Sequence, residues 1–452
     1  MFYSGDTIAA LATPVGISAL AVVRASGPLT TGLVKQIFGT LPPPRHAQHA
    51  DYRDQAGSLV DDVVFTHFAG PHSFTGEDTV EISSHGNPFI AQKILEDLFA
   101  RGCRPAEPGE FSKRAFLNGR VDLSQAEAVM DLIHARSERA LAAANQQLRG
   151  ALGKHMDGLI SQLVDILARI EAHIDFPEED LPDEDRQKLQ TEVAGLLAGT
   201  RRLLATSHYG EFLRDGIKTV IVGEPNAGKS SLLNRLVGRE RALVSAEPGT
   251  TRDYLEECIA IGPHWLRLID TAGLNAKPSP LEKRGIDKTL EQADRADLFL
   301  WVIDSTASIP GLPPSLTKRL TPANTIAVLN KVDLLAEGRR DLPAEFPFPV
   351  VRVSALRGSG FESLHETVTK LAEAFHVETG SELIAVNARH AHALEQAQSA
   401  LEQAGEKLAQ SSGSELVSSD LRLALNCFGQ ISGKVDNEEI LGRLFASFCI
   451  GK

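Results

Sequence analysis

A chain of 452 residues, 42% hydrophobic and 23% charged, is too long for one ordinary domain and too apolar for wholesale disorder. Its formal net charge of −13 excludes a general coat for nucleic acid, which needs an overall positive field. The chain lacks an uncharged apolar run long enough to span a bilayer, a basic secretory start and any CxxC pair among Cys103, Cys258, Cys427 and Cys449. A cytoplasmic protein without a membrane span, zinc site or disulfide is expected.

From about residue 5 to 120, short β-like runs alternate with Gly/Pro punctuation. Leu20–Val23, Leu59–Phe65 and Thr79–Ile82 read as strands, and Leu41–Arg45 as a proline-rich loop. This predicts a mixed α/β or β-rich module. Near residue 122 the texture turns helical. Ser124 and Glu127 form a capping-box pattern, with Leu123, Ala126, Met130 and Ile133 at helical spacing. Helical sequence runs to about Ile174, is broken by the acidic, proline-punctuated stretch Asp175–Arg186, and resumes to about Leu204.

A third texture begins near Ile217. Ile217–Val222, Trp265–Ile269, Leu298–Ile303, Thr325–Leu329 and Val350–Val353 are short apolar runs separated by helix-length segments. That pattern, ending near Phe375, predicts a mainly parallel sheet covered on both faces. Helical sequence returns at Ala388–Ala409, Leu416–Phe428 and Glu438–Phe448. Neither helical stretch has an obvious core of its own. One helical domain interrupted by an inserted α/β domain is the economical arrangement, with two independent bundles as the alternative.

Gly223 to Ser230 (GEPNAGKS) matches the phosphate-loop pattern GxxxxGK[ST], directly after a strand and at the start of a helix. Its glycines let successive backbone N–H groups point at phosphates, aided by the helix N-terminus. Around them lie Asn226, Ala227, Gly228 and Ser231. Lys229 would reach the β- and γ-phosphates, and the Ser230 hydroxyl would ligate Mg²⁺. Asp270, Thr271, Ala272 and Gly273 follow a strand, which sets Asp270 near the magnesium in its outer shell. Asn330, Lys331 and Asp333 (NKVD) follow another strand. A carboxylate there accepts from guanine N1–H and its 2-amino group, donors that adenine lacks. Ser354, Ala355 and Leu356 follow the next strand, where a backbone N–H could meet guanine O6. The ordered set predicts a GTPase domain.

The set resembles the Era/TrmE-like branch of P-loop GTPases. Gly249, Thr250, Thr251, Arg252 and Asp253 match its GTTRD switch motif, which implies that Thr251 is a further Mg²⁺ ligand sensing the γ-phosphate. Leu274 stands where Ras-like proteins carry a water-orienting glutamine, so another group must orient the water.

The flanks narrow the resemblance. Asp6–Pro14 (DTIAALATP), Ser73–Ile82 (SFTGEDTVEI), Pro105–Asn118 (PAEPGEFSKRAFLN) and Phe448–Lys452 (FCIGK) closely resemble the MnmE (TrmE) family of tRNA-modification GTPases over essentially the whole chain. The resemblance implies an α+β folate-binding N-terminal domain over 1–119 and a helical domain over 120–213 and 377–452. It also implies an inserted Ras-like G domain over 214–376. It implies hydrolysis of GTP, with an FAD-dependent MnmG (GidA) partner and a tetrahydrofolate derivative (5-formyl or methylene form) as one-carbon donor. The product would be an aminomethyl or carboxymethylaminomethyl group on C5 of the wobble uridine. A homodimer through the N-terminal domains, nucleotide-dependent G-domain pairing and a heterotetramer with the partner are also implied.

Carried over by position, Asn226, Ser245, Glu247 and Thr250 would hold K⁺, with Ala246, Pro248 and Gly249 completing that nucleotide loop. A monovalent cation beside the phosphates would do an arginine finger's electrostatic work. Glu282 would activate water, and Arg24, Glu81, Arg120 and Lys452 would line the folate pocket. Cys449 invites a nucleophile assignment toward the uridine ring, against a small buried apolar role beside Phe448 and Ile450. The sequence departs from the family at Glu247-Pro248, at Asn275 and at Arg120, where Ile-Ala, arginine and lysine are common. The alternative function is an RNA-binding regulatory GTPase of the ribosome-assembly type. A tRNA substrate has to meet a local basic patch on so acidic a chain. Lys113, Arg114 and Arg120, or Arg201 and Arg202, are the candidates.

Overall fold

The computed structural model describes residues 5–175, 183–240, 256–270, 296–309, 311–312, 314–335, 346–375, 385–410, 413–433, 441, 444–446, 448–449 and 451. They fall into two compact units, Met1–Met130 with Phe428–Lys452, and Asp131–Cys427.

The first unit is built on a six-stranded sheet in the order β3-β4-β5-β2-β1-β6. Its strands are β1 (Ile8–Leu11), β2 (Leu20–Ser26), β3 (Ala47–Arg53), β4 (Leu59–Phe68), β5 (Thr79–His85) and β6 (Arg104–Pro105). All pairings are antiparallel except β1 with β6. In β4, buried Val63, Phe65 and His67 alternate with more exposed residues, the period-2 signature of a sheet covered on one face. The covering helices are α1 (Thr30–Phe38) and α2 (Pro88–Ala100), whose Leu33, Val34, Ile94 and Leu98 join one apolar cluster with the strands. Phe38 stacks on Phe65 with ring centroids 3.8 Å apart. Under this sheet Tyr52 donates to Asp97 at 2.8 Å, and Asp97 also takes Arg101 Nε at 2.7 Å.

Helix α3 (Glu110–Leu117) and α4 (Leu123–His134) follow. The cap of α4 lies two residues earlier than the Ser124/Glu127 pattern suggests. Asp122 Oδ1 accepts from the Gln125 N–H at 2.8 Å, and Gln125 Oε1 accepts from the Asp122 N–H at 2.9 Å. A carboxylate at the cap outcompetes the hydroxyl, and Ser124 instead donates to Asp122.

The second unit joins helices to a second sheet. Continuous helical texture resolves into α5 (Glu138–Leu148), α6 (Ala151–Asp175), α7 (Asp183–Ala205) and α8 (Ser207–Asp215). The left-handed Gly150 (φ 83°) separates α5 from α6. The helix Ala388–Ala409 packs along α7, so segments on both sides of the second sheet share one helical layer. The helix Ser414–Ser432 follows, and its Arg422 pairs with Glu171 of α6 at 2.7 Å.

The second sheet has the order β12-β11-β10-β7-β9-β8, with β7 (Ile217–Val222), β8 (Glu256–Ile261), β9 (His264–Asp270), β10 (Leu298–Asp304), β11 (Thr325–Asn330) and β12 (Val350–Arg352). Every pairing is parallel except β8 with β9, which forms a hairpin at the edge. β10 and β11 are buried along almost their whole length, as parallel strands covered on both faces must be. One face packs on α9 (Lys229–Glu240) and the helix Phe361–Ala374, and the other holds Trp301 against Phe346 and Phe348.

Candidate nucleotide and one-carbon sites

Sheet order fixes where a nucleotide can lie. β7 lies between β9 and β10, and the chain crosses from one side of it to the other between those strands, which makes the carboxyl end of β7 the topological switch point where α/β sheets bind ligands. The phosphate loop sits there. A Cβ on Gly223 would stand 2.3 Å from the Val302 carbonyl, so glycine lets the loop lie against β10. Gly228 is left-handed (φ 96°), and a Cβ on it would meet Asn330 Nδ2 at 2.2 Å. Lys229 is buried, its ammonium donating to the Gly223 and Glu224 carbonyls at 3.1 and 2.9 Å. These loop carbonyls hold the cation beside the place where phosphate charge would arrive. Ser230 and Ser231 follow in the first turn of α9.

Three loops meet at this end of the sheet. Asn330, itself buried, donates to the Ala227 carbonyl at 3.0 Å and accepts from the Ala355 N–H at 3.0 Å. One amide therefore ties the phosphate loop to the Ser354–Leu356 loop. Asp333 Oδ1 accepts from the Ser354 hydroxyl at 2.5 Å, and that hydroxyl accepts from the Arg357 N–H at 3.0 Å. Lys331 is left-handed (φ 64°) and its ammonium donates to Asp304 Oδ2 at 2.7 Å. Burial alone would raise the Asp304 carboxyl, but bonds from Lys331 and Thr306 hold it below the usual carboxylate range. Leu356 is exposed. The spacing of NKVD predicts Asp333 as a base reader, while the tie made by Asn330 and the anchor at Asp304 are visible only in three dimensions.

Among the nucleotide and switch residues expected from sequence, Ser245, Ala246, Glu247, Pro248, Gly249, Thr250, Thr251, Thr271, Ala272, Gly273, Leu274, Asn275 and Glu282 lie outside the described residues, as does Lys452. Asp270 ends β9, beside the carboxyl end of β7. Asn226 is left-handed (φ 65°) in the loop.

In the first unit, Arg24 of β2 and Glu81 of β5 are register partners on neighbouring strands. Arg24 Nε and Nη2 donate to Glu81 Oε1 at 3.0 and 2.7 Å, and Nη1 donates to the Gly451 carbonyl at 3.3 Å. Its guanidinium lies 5.6 Å from the ring centroids of both Phe74 and Phe111. A Cβ on Gly451 would stand 2.4 Å from the Leu11 carbonyl, so the FCIGK segment closes on β1. Arg120 is exposed, its side-chain stem running beside Gly76 in the same turn that carries Phe74. Cys449 is exposed rather than buried beside Phe448, while its carbonyl accepts from the Gly109 N–H at 3.3 Å. A carboxylate held by an arginine between two phenyl rings has the chemistry to meet a ligand that combines an aromatic ring with N–H donors, and these residues fit the pterin of a folate.

Arg114 does not serve as an exposed cation. It is buried at the centre of a network, paired with Asp6 at 2.7 Å, Glu110 at 3.0 Å and Glu77 at 3.1 Å. Arg104 adds bonds to Asp6 and Glu110 at 2.8 and 2.6 Å. The PGEFSKR motif thus binds α3 to the first strand and the SFTGEDT turn, which removes Arg114 from any patch for RNA. Arg201 is exposed and pairs with Glu402 at 2.8 Å. His85 pairs with Asp61, and His390 caps the helix Ala388–Ala409. Among the described residues no group of three or more His, Cys, Asp or Glu could hold a metal, and no helix is long and apolar enough to cross a membrane.

Comparison with known proteins identifies the family. The family models described as "MnmE helical domain" and "GTP-binding protein TrmE N-terminus" match residues 123–449 and 7–120. The chain is 58% identical to the tRNA modification GTPase MnmE of Opitutus terrae, covering 99% of both chains. It is 44% identical to that of Akkermansia muciniphila, again over 99% of each, and 41% identical to that of Aquifex aeolicus, over 99% of this chain and 100% of the other. Matched along its whole length at this identity, and by both family models, the protein belongs to the MnmE family of tRNA modification GTPases.

Proposed function

We propose that this GTPase uses GTP hydrolysis to drive one-carbon modification of C5 in the wobble uridine of tRNA, acting in the cytoplasm with an FAD-dependent MnmG partner. Residues 1–119 would bind the tetrahydrofolate derivative, 120–213 with 377–452 would form the helical domain, and 214–376 would hold the nucleotide. The observation that carries this reading is the Arg24–Glu81 pair, clamped by Phe74 and Phe111 and reached by the Gly451 carbonyl. Arg24 orients the Glu81 carboxylate, and an anionic tail would fall to Arg120 or Lys452. Glu81 Oε1 takes both Arg24 bonds, leaving Oε2 for the amino and N–H donors of a pterin. A regulatory switch without one-carbon chemistry would not need this arrangement.

In the G domain, Lys229 would neutralise the β- and γ-phosphates, and Ser230, Thr251 and, in the outer shell, Asp270 would hold Mg²⁺. Asn226, Ser245, Glu247 and Thr250 would hold K⁺, and Glu282 would orient water. The cations supply charge stabilisation as the terminal phosphate leaves. Homodimerisation through the N-terminal domains, pairing of G domains and a heterotetramer with MnmG complete the proposal.

The decisive experiment is calorimetric titration of the full chain with 5-formyltetrahydrofolate, for wild type, Arg24→Ala and Glu81→Ala. The expected result is measurable binding that falls by about tenfold or more in each variant, the scale of a lost charge-assisted contact. Unchanged affinity would remove the Arg24–Glu81 pair from one-carbon chemistry. GTP turnover in K⁺ and Na⁺ at matched ionic strength, with Glu282→Ala alongside, tests the second site. Equal rates in both salts would discard the potassium assignment, and an unimpaired variant would discard Glu282.

A further inference from the structure

We infer that Asp304, at the end of β10, is a positioning residue for guanine-nucleotide binding, acting by anchoring Lys331; the inference rests on Asp333 reading the base. Asp304 and Asn330 are register partners on adjacent parallel strands, and the Ser305 N–H donates to the Asn330 carbonyl at 3.0 Å. The chain then enters Lys331 in a left-handed conformation, which turns this side chain back across the end of β10. There its ammonium meets Asp304 Oδ2 at 2.7 Å.

The carboxylate is itself immobilised. Its other oxygen, Oδ1, accepts from the Thr306 N–H at 2.9 Å and from the Thr306 hydroxyl at 2.7 Å. One oxygen is committed to the turn and the other to the lysine. With its head fixed on Asp304, the four-carbon stem of Lys331 is held as an ordered apolar strip at the end of β10. A purine face can rest on such a strip, and ordering it before the ligand arrives removes an entropy cost from binding. The placement also resolves an electrostatic oddity. An unpaired carboxylate near a polyphosphate ligand would oppose binding, whereas one neutralised by Lys331 does not.

Asp304 touches the nucleotide only through Lys331, so its removal weakens GDP and GTP alike and leaves the hydrolytic step alone. Uniform binding is lost and transition-state stabilisation is not. The test uses the full-length chain with fluorescent GDP and a non-hydrolysable GTP analogue, in Asp304→Asn, Lys331→Met and the double variant. Asparagine keeps an acceptor for Thr306 and replaces the oxygen that takes Lys331 with an amide donor, which breaks the anchor.

Both dissociation constants should rise about three- to tenfold in Asp304→Asn, the scale of a partly exposed ion pair plus lost order. Turnover at saturating GTP should stay at the wild-type rate, and Asp304→Asn should add nothing in the Lys331→Met background. Unchanged affinity, an equal extra loss in that background, or a fall in turnover with affinity intact would each overturn the inference. Asp333→Asn serves as the control. If that variant keeps wild-type GTP affinity, the base-reading site itself is wrong; if it fails while Asp304→Asn is silent, only the role of Asp304 is.

Discussion

Asp333 has one carboxylate oxygen in contact with the Ser354 hydroxyl, and its side chain is only 7% exposed. A buried acceptor facing a base discriminates by the donors that the base offers. Asp333→Asn replaces an acceptor with an amide that can donate. GTP affinity should fall by roughly two orders of magnitude, while xanthosine triphosphate, which carries a carbonyl where guanine has an amino group, should gain. Competition binding with both nucleotides checks this, and equal losses for the two would contradict it. Asn330→Ala should cost more in stability than in chemistry. It leaves the Ala227 carbonyl and the Ala355 N–H without their shared partner, at about 1–3 kcal/mol, read as a drop in denaturation midpoint. NKVD is legible in sequence because spacing alone brings its residues to one strand end. The role of Asn330 is not, because its two partners are 103 and 25 positions away.

The hairpin of β8 and β9 shows what the apolar-run criterion misses. Ile259 and Ile261 are buried while Cys258 and Ala260 are only partly so, an alternation typical of an edge strand, and Gly262-Pro263 makes the turn. A search tuned to continuous apolar runs finds the buried parallel strands and passes over this one. Helix α8 is similarly hidden, since Tyr209 and Phe212 supply a short apolar stripe within a polar segment.

At the start of β9, His264 is 4% exposed and its Nε2 has no hydrogen-bond partner. Burial, reinforced by Arg139 and opposed by Glu373, pushes its pKa down from 6.5 to about 4. Because the unfolded chain then binds the proton more readily, stability is complete above about pH 6.5 and declines as pH falls toward 4. His264→Phe should flatten that decline by on the order of 2–3 kcal/mol, as measured by urea denaturation from pH 7 to 4.5. An unchanged slope would show that the folded state protonates His264 as easily as water does.

Across the whole molecule the acidic balance constrains how RNA can be held. The net charge is −13, and burial of Arg114 in the Asp6–Glu110–Glu77 network removes one of the few candidate cations. Lys113, Arg120, Arg201 and Arg202 remain for phosphate contacts. The chain by itself should bind tRNA weakly, with affinity dropping steeply between 50 and 200 mM salt in proportion to the few phosphates it neutralises. Arg201→Ala with Arg202→Ala should shallow that salt dependence in filter binding if α7 contacts RNA. Tight binding at physiological salt would contradict this expectation.

The first unit is made from residues at both extremes of the numbering, with Leu123 and Ala126 packed against Leu441, Phe445 and Phe448, and Arg24 bonded to Gly451. About 300 residues separate the two portions. At a synthesis rate of 5–20 residues per second, the early portion must wait roughly 15 to 60 s for the late one. During that interval the strands of the first sheet exist on the ribosome without the segment that closes over β1, while the inserted unit has time to fold. Order of manufacture and order of assembly are therefore opposed. A chain stopped short of residue 428 would carry the second sheet whole and leave Arg24 without the Gly451 carbonyl.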